Sequence, residues 1–74
     1  MVTHDRIEIN PEVMLDKPVI RGTRITVEHI LRRLSEGASA EELVAGHPRL
    51  DVRDISAAQA YAADYLANEE IVFA

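Results

Sequence analysis

The chain has no cysteine, and its 74 residues leave room for one small domain. Without cysteine it can form no disulfide, and no thiolate can hold a zinc ion. A domain of this size buries only about 60% of the surface that its unfolded chain exposes. Small domains that lack such cross-links commonly gain stability from self-association or from a partner. We therefore expect a single domain, residues 1–74, that forms a homodimer.

Long apolar runs are missing as well. No segment approaches the roughly 20 apolar residues that a helix needs to cross a membrane. Met1 is not followed by the basic and then apolar stretch of a secretory signal peptide. The lack of cysteine also fits the reducing cytoplasm. These absences predict a cytoplasmic protein with no membrane partner.

Residue types that carry catalysis or bind metal ions occur without a suitable spacing. The three histidines, His4, His29 and His47, have no i, i+4 ligand spacing and no accompanying acidic set. No carboxylate lies in an apolar surround with a second group that would divide acid and base roles. There is also no glycine-rich phosphate loop. The sequence predicts no enzyme, no catalytic residue, no bound metal and no cofactor.

Aromatic residues are few and lie near the C-terminus. Tyr61, Tyr65 and Phe73 are the three aromatic residues, and Phe73 belongs to an apolar run that includes Ile71 and Val72. Aromatics are enriched at interface cores, and short apolar segments can add a strand to a partner's sheet. These five residues are therefore candidates for binding a partner. The alternatives are that the tyrosines are core residues and that the tail, residues 69–74, frays or folds back.

Positive charge is scarce and unevenly placed. Eight Lys and Arg against thirteen Asp and Glu give a net charge of −5. Residues 1–34 carry a net charge of +1, residues 35–74 carry −6, and five of the eight basic residues lie in residues 16–34. Phosphate neutralisation supplies most non-specific affinity for nucleic acids, so DNA contacts are expected mainly from the first half. The candidate DNA-binding residues are Lys17, Arg21, Arg24, Arg32, Arg33, Arg49 and Arg53.

Local patterns predict a β-region over about residues 7–25. Residues 7–9 alternate apolar and charged, as a half-buried strand does. Residues 19–20 and 24–25 are β-prone pieces on either side of a turn, which favours a hairpin with Gly22 at positive φ. These pieces are too short to form a sheet alone. A strand from residues 7–9, or from a second molecule, is expected to join them.

Helix-start signals and apolar spacing predict three helices, at about residues 27–36, 40–46 and 52–67. A suitable N-cap residue precedes each helix; these residues are Thr26, Ser39 and Asp51. The first helix ends at Gly37. Its apolar side chains recur at i, i+3, i+4 and i+7 and should face the core; they are Val27, Ile30, Leu31 and Leu34. The third helix carries a longer apolar stripe, consisting of Val52, Ile55, Ala58, Ala62, Tyr65 and Leu66.

The predicted fold is mainly α. Three helices with a short second one are compatible with a helix-turn-helix arrangement, although a plain three-helix bundle fits the same spacing. In a helix-turn-helix protein the third helix would present Arg, Lys, Asn or Gln to base edges. Here its exposed middle, residues 57–60, is small and nearly uncharged. That surface is better suited to packing against protein than to reading DNA.

The run KPVIRGTRI at residues 17–25, preceded by NPEVM at residues 10–14, is a specific pattern. Together with later segments, it resembles the small bacterial and archaeal "domain of unknown function 433" family over roughly residues 6–67. The later segments are residues 27–34, 37–39, 48–50 and 60–62. The chain departs from the family at two positions: Asp16 stands where glycine is usual, and His47 where an aromatic residue is common. The first departure bears on the backbone geometry of a turn.

The resemblance implies a homeodomain-like helix-turn-helix fold with a short N-terminal β-strand and hairpin, and it implies no enzymatic activity. Family members resemble antitoxins of VapBC-type toxin–antitoxin pairs, which are encoded beside a PIN-like ribonuclease. The first hypothesis is therefore an antitoxin-like protein that forms a homodimer, neutralises such a ribonuclease and represses its own operon.

Arg21 and Arg24 carry this hypothesis, because a hairpin turn does not need them. The planar fork of arginine meets carboxylate or phosphate bidentately, so either residue could contact the acidic site of the ribonuclease or the DNA backbone. Ordinary salt bridges are the alternative. A second hypothesis is a stand-alone helix-turn-helix transcriptional regulator that binds DNA through the basic segment with Arg49 and Arg53. A third is a small interaction module unrelated to either.

Overall fold

The computed structural model describes residues 4–9, 11–12 and 16–67. In this part of the chain the elements are, in order, β1 (Ile7–Ile9), β2 (Pro18–Ile20), α1 (Val27–Ser35), α2 (Ala40–Gly46) and α3 (Val52–Ala67). The predicted mainly helical domain, with three helices and a short antiparallel hairpin, is confirmed. The tail candidates Ile71, Val72 and Phe73 lie outside the described residues.

The sheet consists of two strands of the same chain. β1 pairs antiparallel with β2, with Glu8 opposite Val19. The prediction of a strand at residues 24–25 was wrong. This segment contributes one hydrogen bond, from the Ile20 N–H to the Ile25 C=O at 2.9 Å, and the next residue, Thr26, forms an isolated bridge with Val19. The segment is too short to form a ladder because the chain turns directly into α1.

Two residues of the β-region have left-handed backbone conformations. Gly22 has φ +79°, as predicted for the turn after β2. Asp16 has φ +69°, a region in which the Cβ of an L-residue is crowded and which glycine adopts freely. Asp16 is the position at which the sequence departs from the family that it resembles, where glycine is usual. The departure therefore leaves the backbone in a conformation that strains the aspartate.

We expect Asp16→Gly to stabilise the domain. The substitution removes the cost of the left-handed backbone but adds conformational entropy to the unfolded chain. The net effect should raise the free energy of unfolding by about 0.5–1 kcal/mol. For a domain of this size, that gain corresponds to a rise in Tm of about 2–8 °C in thermal denaturation.

Gly22→Ala is the matched control. A Cβ added to Gly22 would meet no atom within 4 Å, so the substitution changes only the backbone preference. It should lower the stability by about 1 kcal/mol. A Tm that falls in Asp16→Gly would contradict the strain argument.

Side-chain caps fix the predicted starts of the helices. Thr26 Oγ1 accepts a hydrogen bond from the His29 N–H at 2.9 Å at the start of α1. Ser39 and Glu42 form the complete capping box of α2. At the end of α1, the N–H of Gly37, at φ +102°, donates to the Leu34 C=O at 3.1 Å. These bonds satisfy backbone groups that a helix end leaves unpaired.

The core lies where the three helices meet the sheet. Its buried apolar side chains come from every element and from the loop before α3. They are Ile7, Ile20, Val27, Ile30, Leu43, Leu50, Ile55 and Ala58. Leu31 and Leu34, which the α1 spacing placed on the buried face, are partly buried and pack against this cluster.

The predicted apolar stripe of α3 is buried only in its middle. Ile55 and Ala58 are in the core, whereas Val52, Tyr65 and Leu66 are exposed. The sixteen residues of α3 extend about 24 Å, against about 13 Å for the nine residues of α1. Because α3 is longer than its neighbours, no helix within residues 4–9, 11–12 and 16–67 covers the stripe near its end.

Candidate functional site

Two turns that are distant in the sequence lie side by side. Arg49, in the turn between α2 and α3, donates through Nη1 to the Gly22 carbonyl oxygen at 2.8 Å. Between the two turns is a cleft of about 540 Å³. We call it the turn cleft; it is lined by Glu8, Gly22, Thr23, Arg24, Ile25, His47, Pro48 and Arg49. The fold thus brings two of the candidate arginines, Arg24 and Arg49, into one site.

The turn between β2 and α1 that carries Arg24 is braced from within. Thr23 Oγ1 donates to the Ile20 carbonyl oxygen at 2.8 Å and accepts from the Ile25 N–H at 3.0 Å. The Thr23 N–H also donates to the Ile20 C=O at 3.0 Å. These bonds span both sides of Arg24, so its backbone position is fixed although its side chain is exposed.

Arg24 differs from the other basic residues in having no internal partner. Within residues 4–9, 11–12 and 16–67, its side chain makes no hydrogen bond and no ion pair, whereas each of the other seven Lys and Arg makes at least one. An exposed guanidinium on a braced turn can bind an anion without first breaking a bond of the folded chain. This makes Arg24 the strongest candidate binding residue.

Arg21, its partner in the sequence-based hypothesis, has a structural role. Its Nε donates to the Asp5 carbonyl oxygen at 2.7 Å, and its Nη1 lies 3.5 Å from Glu8 Oε2. Its backbone N–H donates to the Arg6 C=O at 2.8 Å. Arg21 therefore fastens the segment before β1 to the hairpin and is less available than Arg24.

Three of the candidate cations lie on α1 or directly beside it and pair with acids of the same surface. Lys17 Nζ is 3.2 Å and Arg32 Nη2 is 3.3 Å from the carboxylate of Glu28. The hydrogen bond from Lys17, followed by the one from Arg32, holds the pKa of Glu28 below its usual range. Arg33 pairs with Glu36 at 2.9 Å. These exposed pairs leave little net positive charge for a DNA backbone.

Arg53, the candidate on α3, is occupied by the N-cap residue of its own helix. Its Nε and Nη2 lie 3.1 and 3.0 Å from the two carboxylate oxygens of Asp51. These bonds, together with the Arg53 backbone N–H, lower the pKa of Asp51 to about 2. The same contact raises the pKa of Arg53. A base edge in a DNA groove would have to compete with Asp51 for this guanidinium.

The candidate tyrosines lie in a second site. A groove of about 510 Å³ separates the sheet and α1 from the last turns of α3. We call it the apolar groove; it is lined by Ile9, Asp16, Pro18, Val27, Glu28, Leu31, Tyr61, Ala62, Tyr65 and Leu66. Tyr61 and Tyr65 are stacked with their ring centroids 6.4 Å apart. No residue lines both sites, so the fold separates the candidate arginines from the candidate tyrosines.

Sequence reasoning missed two features. Asp54 is almost fully buried, and its carboxylate accepts hydrogen bonds from Arg6 Nη1 at 2.8 Å and from the Asp51 N–H at 2.9 Å. The spacing of Asp51 and Asp54 is that of a capping box, a signal that the sequence offered. The second feature is the edge-to-face pair of His29 and His47, with centroids 5.9 Å apart, beside the turn cleft. No sequence pattern predicts this pair, because α1 and the loop after α2 come into contact only in the folded chain.

Two negative observations concern the described part of the chain. No group of three or more His, Asp or Glu there is placed to hold a metal ion. No helix within it has the length and apolar character required to span a membrane.

Together, these features define a small, mainly helical domain with a two-stranded antiparallel hairpin and, in a cleft between two turns, an exposed arginine that has no partner in the described part of the chain. Residues 7–62 match the family described as "Protein of unknown function (DUF433)", and the chain belongs to this family. Membership of this family, which the sequence pattern indicated, is thereby confirmed.

A crystal structure of a DUF433 member protein from Anabaena variabilis, determined at 2.00 Å resolution, is similar to this chain. The sequence identity is 35% and the TM-score is 0.78. The similarity covers 84% of this chain and 61% of that one, so the chain spans about three fifths of that protein's length. No curated protein matches the sequence.

Proposed function

We propose that this chain is an antitoxin-like binding protein that neutralises a PIN-like ribonuclease in the cytoplasm. One observation carries the proposal: Arg24 is exposed on a braced turn in the turn cleft and has no partner among the described residues. In this reading the three helices form a homeodomain-like helix-turn-helix domain that serves as the scaffold for the turn. The chain itself has no enzymatic activity in this proposal.

The physical argument rests on charge. A PIN-like nuclease gathers carboxylates to hold its metal ions, and a guanidinium inserted among them replaces the metal charge and blocks the site. Arginine suits this task because its planar fork meets a carboxylate bidentately. Within the described part of the chain, Arg24 has no bond to lose on meeting a partner, and Arg49 beside it makes one hydrogen bond, to the Gly22 carbonyl. The tail residues Ile71, Val72 and Phe73 remain proposed as an additional docking segment.

The alternative is a helix-turn-helix regulator that binds DNA, alone or as an operon repressor. The observation that favours it is the placement of Arg24 and Arg49 in one cleft, where both could contact a single phosphate. Other observations weigh against it: Arg53 is paired with Asp51, and the four candidates Lys17, Arg21, Arg32 and Arg33 are paired with glutamates. We therefore keep DNA binding as the second candidate.

The test is a binding measurement with the PIN-like ribonuclease encoded beside this chain, purified after co-expression. Calorimetric titration should give a stable complex for the wild type, and Arg24→Ala should weaken it by about 30-fold or more, because an enzyme carboxylate is then left unpaired. Arg33→Ala is the matched control. Arg33 is also exposed but pairs with Glu36, so its removal should leave the affinity within about twofold. Neither variant should change the Tm by more than about 2 °C.

A second experiment distinguishes the DNA-binding alternative from the antitoxin proposal. Binding to promoter DNA should be measured from 50 to 200 mM salt, roughly the range over which phosphate contacts are lost. If Arg24 contacts a phosphate, Arg24→Ala should reduce the salt slope by about one. If the chain forms no complex with the ribonuclease and Arg24→Ala reduces the salt slope, the DNA-binding proposal replaces the antitoxin proposal. A ribonuclease complex that is indifferent to Arg24→Ala would remove Arg24 from the mechanism.

A further inference from the structure

The apolar groove lies apart from the turn cleft and has an unusual exposure. Four large apolar side chains are more than half exposed within the described residues, and three of them line this groove. They are Ile9 at 56%, Tyr65 at 61% and Leu66 at 54%. The fourth, Val52, is 54% exposed at the other end of α3. Scattered exposed apolar residues are common, but a contiguous apolar surface around a groove marks an interaction site.

The shape of this surface suits a copy of itself. Tyr65 and Leu66 on the final turns of α3 are more than half exposed, while Tyr61 and Ala62, one turn earlier, are partly buried, and all four line the groove. The exposed apolar side chains and the groove therefore belong to the same surface. That combination is what a two-fold symmetric contact requires, because each copy must offer the surface that the other copy fills.

The charges around the groove also favour a second copy. The chain as a whole carries −5, so two copies repel each other at most relative orientations. At the groove, Asp16 and Glu28 stand beside Lys17 and Arg32, and both cations bond the Glu28 carboxylate. These four side chains sum to zero charge. Two copies that meet at this face bring together a neutral rim and an apolar centre, as stable interfaces do.

We propose that a second copy of this chain docks in the apolar groove. In the resulting two-fold dimer, Tyr65 and Leu66 of each copy insert between α3 and the sheet of the other. The turn clefts remain outside the contact, since no residue lines both sites. The assignment gives the candidate tyrosines a role in self-association and does not depend on the proposed function.

Sedimentation equilibrium of the full chain tests the proposal. The wild type should approach a mass of about twice the 8.3 kDa of one chain as its concentration rises. Leu66→Lys should weaken the dimer by about 30-fold or more, as the loss of a central apolar contact does. Leu66 is exposed, and a cation in the last turn of a helix is favourable, so this variant should remain folded.

Val52→Lys is the matched control, because it adds the same charge to the same helix at an equally exposed apolar residue outside the groove. It should leave the dimer constant within about threefold. A wild type that stays monomeric at all concentrations overturns the proposal, as does equal weakening by both variants. If the wild type is monomeric and Phe73→Ser makes it dimeric, the chain's own tail competes for the groove and the proposal also fails.

Discussion

Ile30→Ala is expected to lower the free energy of unfolding by about 3–4 kcal/mol, because Ile30 has no exposed surface and contributes to the core from the middle of α1. The substitution loses the transfer free energy of the removed carbon atoms and leaves a cavity. A 74-residue domain is expected to have a total stability of about 4–11 kcal/mol. The variant should therefore lose between about a third and nearly all of the stability, which chemical denaturation with detection by circular dichroism would measure.

Two variants calibrate this result. Ile30→Val removes one carbon atom from the same site and should cost about 0.5–1.5 kcal/mol. Val52→Ala removes apolar atoms from a residue that is 54% exposed and should cost less than about 0.5 kcal/mol. If Ile30→Ala cost no more than Val52→Ala, the helix would not be packed on the sheet as described.

Arg6→Ala is expected to lower the free energy of unfolding by about 3 kcal/mol, the largest expected loss after that of Ile30→Ala. Arg6 Nη1 lies 2.8 Å from Asp54 Oδ1, and the Asp54 side chain is only 7% exposed. Removing the guanidinium leaves a nearly buried carboxylate with the Asp51 N–H as its remaining partner. Breaking such a pair on one side costs about 3–5 kcal/mol, and the partial exposure of Arg6 places this case near the lower limit.

A double-mutant cycle isolates the pair from the capping bond. Asp54→Ala alone removes both the ion pair and the acceptor for the Asp51 N–H, so it should cost at least as much as Arg6→Ala. The double variant should cost less than the sum of the two by about 1–3 kcal/mol, which is the coupling energy of residues in direct contact. Additive effects would mean that the contact contributes nothing to the fold. Arg6→Lys should restore part of the stability, because it returns the charge without the fork.

Much of the secondary structure followed from the sequence because its determinants are local. The N-caps at Thr26, Ser39 and Asp51 act within one turn of the residue concerned, and Gly22 meets the need of its own turn for positive φ. The predicted helix at about 27–36 differs from α1 by one residue at its end. Apolar spacing identified Ile30 as a core residue for the same reason.

Burial along α3 and the state of each arginine required the tertiary structure. Periodicity reports which residues share a face, and it does not report how far the neighbouring helices extend along that face. The stripe was therefore extended to Tyr65 and Leu66, which the structure leaves exposed. The sequence likewise offered Arg21 and Arg24 as equivalent candidates. Contacts of Arg21 with the backbone carbonyl of Asp5, sixteen residues earlier, and with the Glu8 carboxylate distinguish them in the fold.

The sequence by itself determined the family, the order of the elements, the positions of the caps and the segment that holds the candidate cations. The tertiary structure decided which of those cations has no partner among the described residues, how the turn of Gly22 meets Arg49, and which apolar side chains of that part of the chain stay exposed. The physical reason is the sequence distance over which each interaction acts. Capping and periodicity act over three or four residues, whereas ion pairs and burial depend on contacts such as that between Arg6 and Asp54, 48 residues apart, which form only when the helices pack on the sheet.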